Sequence, residues 1–257
     1  MMKVYFIGAG PGDPELLTLK AIRIIEKCPV ILYTGSLVPQ EVFQLYAQKN
    51  ALVYDTSLMT LEEIIEKILD AQKNNYDVAR IHTGDPTIYG AIAEQIRELE
   101  KHQIDYEIIP GVSSFTAAAC ALKKELTIPE LTQTIIITRM EGRTPMPEKE
   151  KLKDLAKHES SLVLFLSINL LPKIVDELLP ILGESFPIAI VYKATTPEET
   201  ILVGNLGNIV EKWRNSHIRS QSIIIISKVL EKKDFANSKL YSKDFFHKFR
   251  RNDHKES

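Results

Sequence analysis

The chain is poor in cysteine. Cys28 and Cys120 are the only two in 257 residues. They are too few and too far apart for a disulfide framework or a zinc site, so two reduced cytosolic thiols are expected. Long apolar runs are also missing: none approaches the ~20 residues of a membrane span. Charge of one sign is not in excess, and a net charge of −2 argues against a polyanion-binding surface over the whole molecule. Neither a membrane nor a nucleic acid is therefore an expected partner. The strand-forming run Lys3-Val4-Tyr5-Phe6-Ile7 begins almost at once, so no signal peptide is expected. No internal repeat or low-complexity tract stands out. What is present is ordinary globular composition, 44% hydrophobic and 26% charged. At ~100–200 residues per domain, it implies one large or two small domains. A cytoplasmic enzyme fits these bounds.

Short β-rich runs alternate with helical patterns. Strands are expected at 3–7, 30–33, 51–54, 78–82 and 106–109, with helices near 14–27, 39–49, 60–74 and 88–102. Thr60 is a natural N-cap, and Glu63 three residues later can close a capping box. Leu61, Ile64, Ile65, Ile68 and Leu69 then make a single apolar stripe. Such alternation predicts a mostly parallel sheet with helices on both faces. After Pro110-Gly111 comes a helix of small residues from Ser113 to Leu122, then further strands at 133–138, 161–167, 187–192, 199–203 and 222–229. This second set looks less parallel. The short link from Tyr192 to Thr200-Ile201-Leu202-Val203 suggests a hairpin. The expected organisation is a first α/β lobe over 1–112, a second over 113–232, and a polar tail over 233–257 that carries Phe245, Phe246 and Phe249.

Three loops carry chemistry. Gly8-Ala9-Gly10-Pro11-Gly12-Asp13-Pro14 follows the first strand. It invites a dinucleotide reading, but the third glycine position is Asp13 and Pro11 removes a backbone donor that a phosphate would use. Asp13-Pro14 instead reads as an N-cap followed by a first-turn proline. An aspartate there would repel a pyrophosphate. The loop is built for close backbone approach, though not to a phosphate, and a plain strand-to-helix turn is the bland alternative. His82-Thr83-Gly84-Asp85-Pro86-Thr87-Ile88-Tyr89-Gly90 follows the fourth strand. In open α/β sheets ligands bind outside such strand ends, so loops one and four would flank a switch point if the strand order reverses there. His82 alone reads better as a core histidine than as a metal ligand, and Asp85 can cap a helix beginning near Thr87. Ile109-Pro110-Gly111-Val112-Ser113-Ser114 opens a third helix on two serines, which serve equally as caps or as donors to a polar ligand.

One further run has no use in a regular element: Thr138-Arg139-Met140-Glu141-Gly142-Arg143-Thr144-Pro145-Met146-Pro147. Its prolines exclude a helix, and a hairpin turn does not need its charges. Two guanidinium groups on a loop at a strand end suit a carboxylate-rich ligand.

Taken together, the Gly8–Pro14 loop, the His82–Tyr89 loop and the Pro110–Ser114 turn resemble the tetrapyrrole C-methyltransferases, and the similarity covers essentially the whole chain. Tyr33-Thr34-Gly35-Ser36-Leu37-Val38, Leu126 to Thr134, Ile137 to Pro145, Val191-Tyr192-Lys193-Ala194-Thr195 and the tail from Ser238 look like the branch acting at C11 of precorrin-4 or cobalt-precorrin-4 in cobalamin biosynthesis. The resemblance implies two α/β lobes with the active site in the cleft between them, S-adenosylmethionine as cofactor with S-adenosylhomocysteine as product, and a homodimer. Carried over by position, the implied cofactor contacts are Pro11, Thr83, Gly84, Asp85, Ile88, Ser113, Ser114, Leu166, Tyr192, Ala194 and Ser222. Leu166 stands where relatives often have methionine, and Ser222 where a smaller residue is usual. Ala91 occupies the position at which uroporphyrinogen-III methylases carry an arginine, which counts against that activity.

Methyl transfer from a sulfonium needs little beyond alignment, which can supply about 7–11 kcal/mol of the barrier. A precorrin carries acetate and propionate carboxylates, and Arg139, Arg143 and Lys193 are the candidates to hold them. No dedicated base is evident; Asp13 and His82 are the weak candidates for accepting the proton that must leave. The alternatives are another tetrapyrrole methylase step, diphthine synthase on the same fold, and, in a different class, an NAD-dependent oxidoreductase, against which the missing third glycine speaks. No protein metal site is expected.

Overall fold

Val4 and Phe6 point to one side of the first strand and Tyr5 and Ile7 to the other, the period-2 alternation of extended chain. Both sides are apolar, so this strand is covered on both faces. In the computed structural model it is β1 (Lys3–Gly8), at the heart of a parallel sheet with β2 (Val30–Tyr33), β3 (Leu52–Asp55), β4 (Val78–His82) and β5 (Asp105–Ile109). The order is β3-β2-β4-β1-β5, and every recorded pairing is parallel. Helices α1 (Leu19–Ile25) and α2 (Glu41–Gln44) cover one face: Ala21, Ile25, Val42 and Phe43 pack on Ile7, Ile31 and Ile81. Helices α3 (Leu61–Lys73) and α4 (Ala93–Lys101) cover the other, where Ile64, Ile65, Ile68 and Leu99 pack on Val4, Phe6 and Leu32. Each such fully buried side chain contributes about 1.5–3 kcal/mol. A fifth helix, α5 (Ser114–Ala121), follows β5.

The described residues are 2–231 and, beyond them, Ser238, Ser242, Phe245, Phe246 and Lys248. The expected tail, including Phe249, lies almost wholly outside them. The chain divides into two compact units: residues 1–121 with 191–200, and 122–190 with the chain from 201 on. The segment Val191–Thr200 thus groups with the first unit although it follows most of the second in sequence.

The second unit is built on a mixed sheet of order β6-β7-β10-β8-β9, formed by β6 (Ile135–Arg139), β7 (Ser161–Phe165), β8 (Pro187–Tyr192), β9 (Thr200–Asn205) and β10 (Ser222–Ile226). β6 runs parallel to β7, and β10 antiparallel to it; β8 and β9 are neighbours, as a hairpin requires. Its helices are α6 (Leu152–Leu155), α7 (Leu171–Leu182) and α8 (Ile209–Arg214). Ser161 and Ser227, both fully buried, face each other at 2.7 Å, and Ser161 Oγ also donates to Leu126 O at 2.8 Å. That satisfies two hydroxyls that would otherwise be costly to bury.

The capping box at Thr60 and Glu63 is present. Other helix starts differ from the sequence expectation. The stretch 14–27 is a short 3-10 turn, Pro14–Leu16, capped by Asp13, followed by α1, because Leu17 is extended and Thr18 caps afresh. The helix expected from 88 begins at Ala93: Tyr89 and Ala91 have φ of 55° and 49°, left-handed values that a helix cannot contain. Only Glu41–Gln44 of the stretch 39–49 is α-helical. Among the described residues no helix is long and apolar enough to cross a membrane.

Candidate active site

β1 and β4 lie side by side with Gly8 opposite His82. The chain leaves β1 toward β2 and leaves β4 toward β5, in opposite directions along the sheet. This is the reversal that the two glycine–aspartate loops needed in order to flank a switch point. Past their strands the loops are joined: Gly10 N donates to Gly84 O at 3.2 Å, and Gly84 N to Gly10 O at 2.8 Å. The loop after β5 closes on the same point. A Cβ on Gly8 would lie 2.6 Å from Gly111 N and from Gly84 O, and one on Gly111 would lie 2.2 Å from Gly84 O. Glycine is demanded here by backbone touching backbone.

Asp85 fastens this junction. Its Oδ1 accepts from Thr87 N at 2.8 Å and its Oδ2 from Gly111 N at 3.0 Å. The carboxylate therefore caps the turn at Pro86–Tyr89 rather than a helix at Thr87. Ser113 and Ser114 stand beside it: a Cβ on Gly84 would lie 3.3 Å from Ser114 Oγ. Asp13 N donates to Thr195 Oγ1 at 3.2 Å, while the Asp13 side chain is occupied in accepting from Glu15 N at 2.9 Å. Gly12 has φ of 150°, and a Cβ there would meet Thr196 Cγ2 at 2.4 Å. The first unit thus gathers Pro11, Thr83, Gly84, Asp85, Ile88, Ser113, Ser114, Tyr192 and Ala194 onto loops that touch one another or follow one another directly. Thr195 and Thr196 join them, a pairing over some 180 positions that no local signal announces.

Lys193 (φ 43°) and Thr195 (φ 71°) are left-handed, so this turn is held by its surroundings. Lys193 is ion-paired with Glu198 and sits 5.5 Å from the centre of the Tyr192 ring. In the second unit, Leu166 is also left-handed (φ 53°) and 70% exposed, a conformation and exposure that leucine does not choose for itself. Ser167 pins that turn: its hydroxyl donates to Phe165 O at 2.6 Å and accepts from Met140 N at 2.7 Å. Ser222 is buried at the start of β10 and donates to Ser220 O.

The arginine loop has a division of labour. Arg139 turns back on its own loop, donating to Pro145 O at 2.9 Å and to Thr144 O at 3.2 Å. It shapes the loop. Arg143 is exposed and makes no hydrogen bond or ion pair among the described residues.

Two residues inside β4 complete the first unit's site. His82 is 5% exposed, and its Nε2 has no hydrogen-bond partner among the described residues. Burial, and then the Arg80 charge, push its pKa down to about 3, partly offset by hydrogen bonding to the Gly90 backbone. It is therefore neutral at pH 7, a weak proton acceptor but a good hydrogen-bonding group. Arg80 is 4% exposed, and burial pushes its pKa down to about 10. Sequence reasoning passed over Arg80. The available signal was a charged residue in the middle of Val78-Ala79-Arg80-Ile81-His82, a strand otherwise built for burial on both faces.

A doubly wound sheet with a glycine-built junction at its switch point defines a small-molecule-binding α/β enzyme. More narrowly, the chain belongs to the Tetrapyrrole (Corrin/Porphyrin) Methylases, whose family model matches residues 3–210. It is 52% identical to the cobalt-precorrin-4 C(11)-methyltransferase of Methanocaldococcus jannaschii, over 97% of this chain and 96% of that one. It is 46% identical to the precorrin-4 C(11)-methyltransferase of Pseudomonas aeruginosa, over 97% and 99%. Among solved structures, a cobalt precorrin-4 methyltransferase of cobalamin biosynthesis superposes with a TM-score of 0.87 at 45% identity, over 90% of this chain and 96% of that one.

Proposed function

We propose that this protein transfers the methyl group of S-adenosylmethionine to C11 of precorrin-4 or cobalt-precorrin-4, giving the corresponding precorrin-5 and S-adenosylhomocysteine in cobalamin biosynthesis. The observation that carries this reading is similarity along nearly the whole chain to two proteins named for that step. The site supports it. The junction of Gly8, Gly84 and Gly111 packs the three loops backbone against backbone at the strand ends, which holds Thr83, Asp85, Ser113 and Ser114 in fixed positions around it. When bound, S-adenosylmethionine supplies an electrophilic methyl on a sulfonium. Carbonyl and carboxylate groups suit that cation better than a nest of N–H donors, and a loop with Pro11 and Asp13 has few free donors. The first-unit cofactor residues are Pro11, Thr83, Gly84, Asp85, Ile88, Ser113, Ser114, Tyr192 and Ala194; Leu166 and Ser222 keep the role that the family resemblance implies.

The protein's task is alignment of the acceptor carbon, worth about 7–11 kcal/mol when complete. Arg143, with Arg139 shaping its loop, is the proposed surface contact for the substrate's carboxylates. Lys193, held by Glu198, is the third. The enzyme acts in the cytoplasm as a homodimer.

Incubation with S-adenosylmethionine and precorrin-4, with and without cobalt, followed by NMR location of the new methyl, tests the assignment. A methyl at C11 is expected, and the better-used acceptor identifies the cobalt state. A methyl at another carbon, or none with both acceptors, refutes the assignment.

A further inference from the structure

Arg80 is buried without a counter-ion. Its Nε donates to Gln95 Oε1 at 3.0 Å, and Nη1 makes two long contacts at 3.4 Å, to Leu32 O and Thr34 Oγ1. All three acceptors are neutral. Nη2 makes no hydrogen bond, and the guanidinium no ion pair, among the described residues. A guanidinium has five N–H donors, and taking its charge out of water without a partner costs several kcal/mol. The surrounding structure nevertheless holds it in place. Gln95 is itself buried, and its Nε2 donates to Ala91 O at 2.9 Å. That contact turns the Gln95 carbonyl toward Arg80.

The guanidinium is not sealed in a core. Arg80 lines a cavity of about 310 Å³, the size of a small-ligand pocket. Thr34, His82 and Gln95 share the wall with the apolar Leu61 and Ile64. The one carboxylate on the wall, Glu94, forms no ion pair with Arg80. His82 adds a second unsatisfied polar atom, its buried Nε2. Thr83 and Ile88, two of the proposed cofactor contacts, also line the cavity, so it adjoins the place where a methyl donor would sit.

We propose that this cavity is a carboxylate receptor: Arg80, held by Gln95, binds one acetate or propionate arm of the methyl acceptor. This rests on the proposed function for the identity of the acceptor but not for the chemistry of the site. A carboxylate is the group that best matches the free Nη2 donors of a guanidinium, and it would supply the charge that Arg80 lacks. The apolar wall suits the methylenes of such an arm. A buried anchor would fix one edge of the macrocycle, where an exposed lysine or arginine would be screened.

Two measurements on the full chain test this. Sodium propionate is titrated into protein labelled at arginine, and the Arg80 Nε–H signal, assigned by its absence in Arg80→Lys, is followed by NMR. A saturable shift that persists with saturating S-adenosylhomocysteine is expected. No saturable shift, or displacement of propionate by S-adenosylhomocysteine, overturns the proposal. In parallel, Arg80→Lys and Arg80→Met are assayed with cobalt-precorrin-4. KM is expected to rise at least tenfold, more for Met than for Lys, with S-adenosylhomocysteine affinity within twofold of the parent. An unchanged KM in a folded variant also overturns it. If the parent enzyme methylates neither cobalt-precorrin-4 nor precorrin-4, the proposed function fails, while the propionate titration still decides the receptor.

Discussion

Asp85 and Gly111 are 26 residues apart, yet the Asp85 carboxylate accepts the Gly111 N–H at 3.0 Å while its other oxygen takes Thr87 N–H at 2.8 Å. One side chain thereby ties the loop after β4 to the loop after β5. In Asp85→Asn, one amide face must oppose an N–H donor, and Asp85→Ala leaves both donors unmet. A loss of about 1.5–3 kcal/mol is expected for either in urea unfolding, together with weaker S-adenosylhomocysteine binding by calorimetry. Unaltered binding in Asp85→Ala would remove Asp85 from the cofactor site.

Gly111→Ala places a methyl 2.2 Å from Gly84 O and 2.8 Å from Gly8 Cα. Both are backbone atoms and cannot rotate away. A loss at or above the ~1–3 kcal/mol range of overpacking is expected. Gly142→Ala is the control: its nearest neighbour would be Leu170 Cδ1 at 3.4 Å, so a change within ±0.5 kcal/mol is expected. Equal losses at the two positions would contradict the steric account.

His82 gives the fold a pH dependence of known sign. Its pKa falls from 6.5 to about 3 on folding. Between those values the unfolded chain binds the extra proton, so stability is present above about pH 6.5 and is lost as pH falls toward 3. Linkage for a single site gives a loss of about 2 kcal/mol from pH 7 to pH 5. The same pH change should cost His82→Gln about 2 kcal/mol less, by urea midpoints at the two pH values. An identical loss in the two proteins would mean that His82 is not the group responsible.

The two thiols should separate cleanly. Cys28 is buried, and burial, with a smaller effect of the Asp77 charge, pushes its pKa up to about 12; Cys120 is exposed. A thiol reagent at pH 8 is expected to modify one cysteine per chain in the native state and two in guanidinium. Rapid native modification of both would contradict the burial of Cys28.

Ser167→Ala removes the acceptor of the buried Met140 N–H. A cost of about 1–3 kcal/mol follows from leaving that donor unmet. The amide of Met140 should lose protection in hydrogen exchange before its neighbours in β6 do. Protection equal to the parent's would show that another group has taken over.

Much of this was legible because it is local. The residues of β4 run Val78 to His82, the bounds expected of that short buried run, and Thr60 and Glu63 close their capping box with no help from elsewhere. The switch point is legible in the glycine–aspartate chemistry that the loops after β1 and β4 share. What escaped the sequence depends on partners distant in the chain. Nothing local shows that Arg80 lacks a counter-ion, that Arg139 is consumed by its own loop, or that Ala91 is left-handed and delays α4. A periodicity reports which face is apolar; it does not report which charge goes unpaired.

The grouping of Val191–Thr200 with the first unit has a consequence for synthesis. On the ribosome, residues 1–121 emerge first, but the strip that supplies Thr195 to Asp13 is not made until residues 122–190 have followed. At ~5–20 residues per second, the nascent first unit waits several seconds with the Gly12 turn uncovered. A chain stopped before residue 191 would lack that strip altogether, so the second gene half is needed to finish the first.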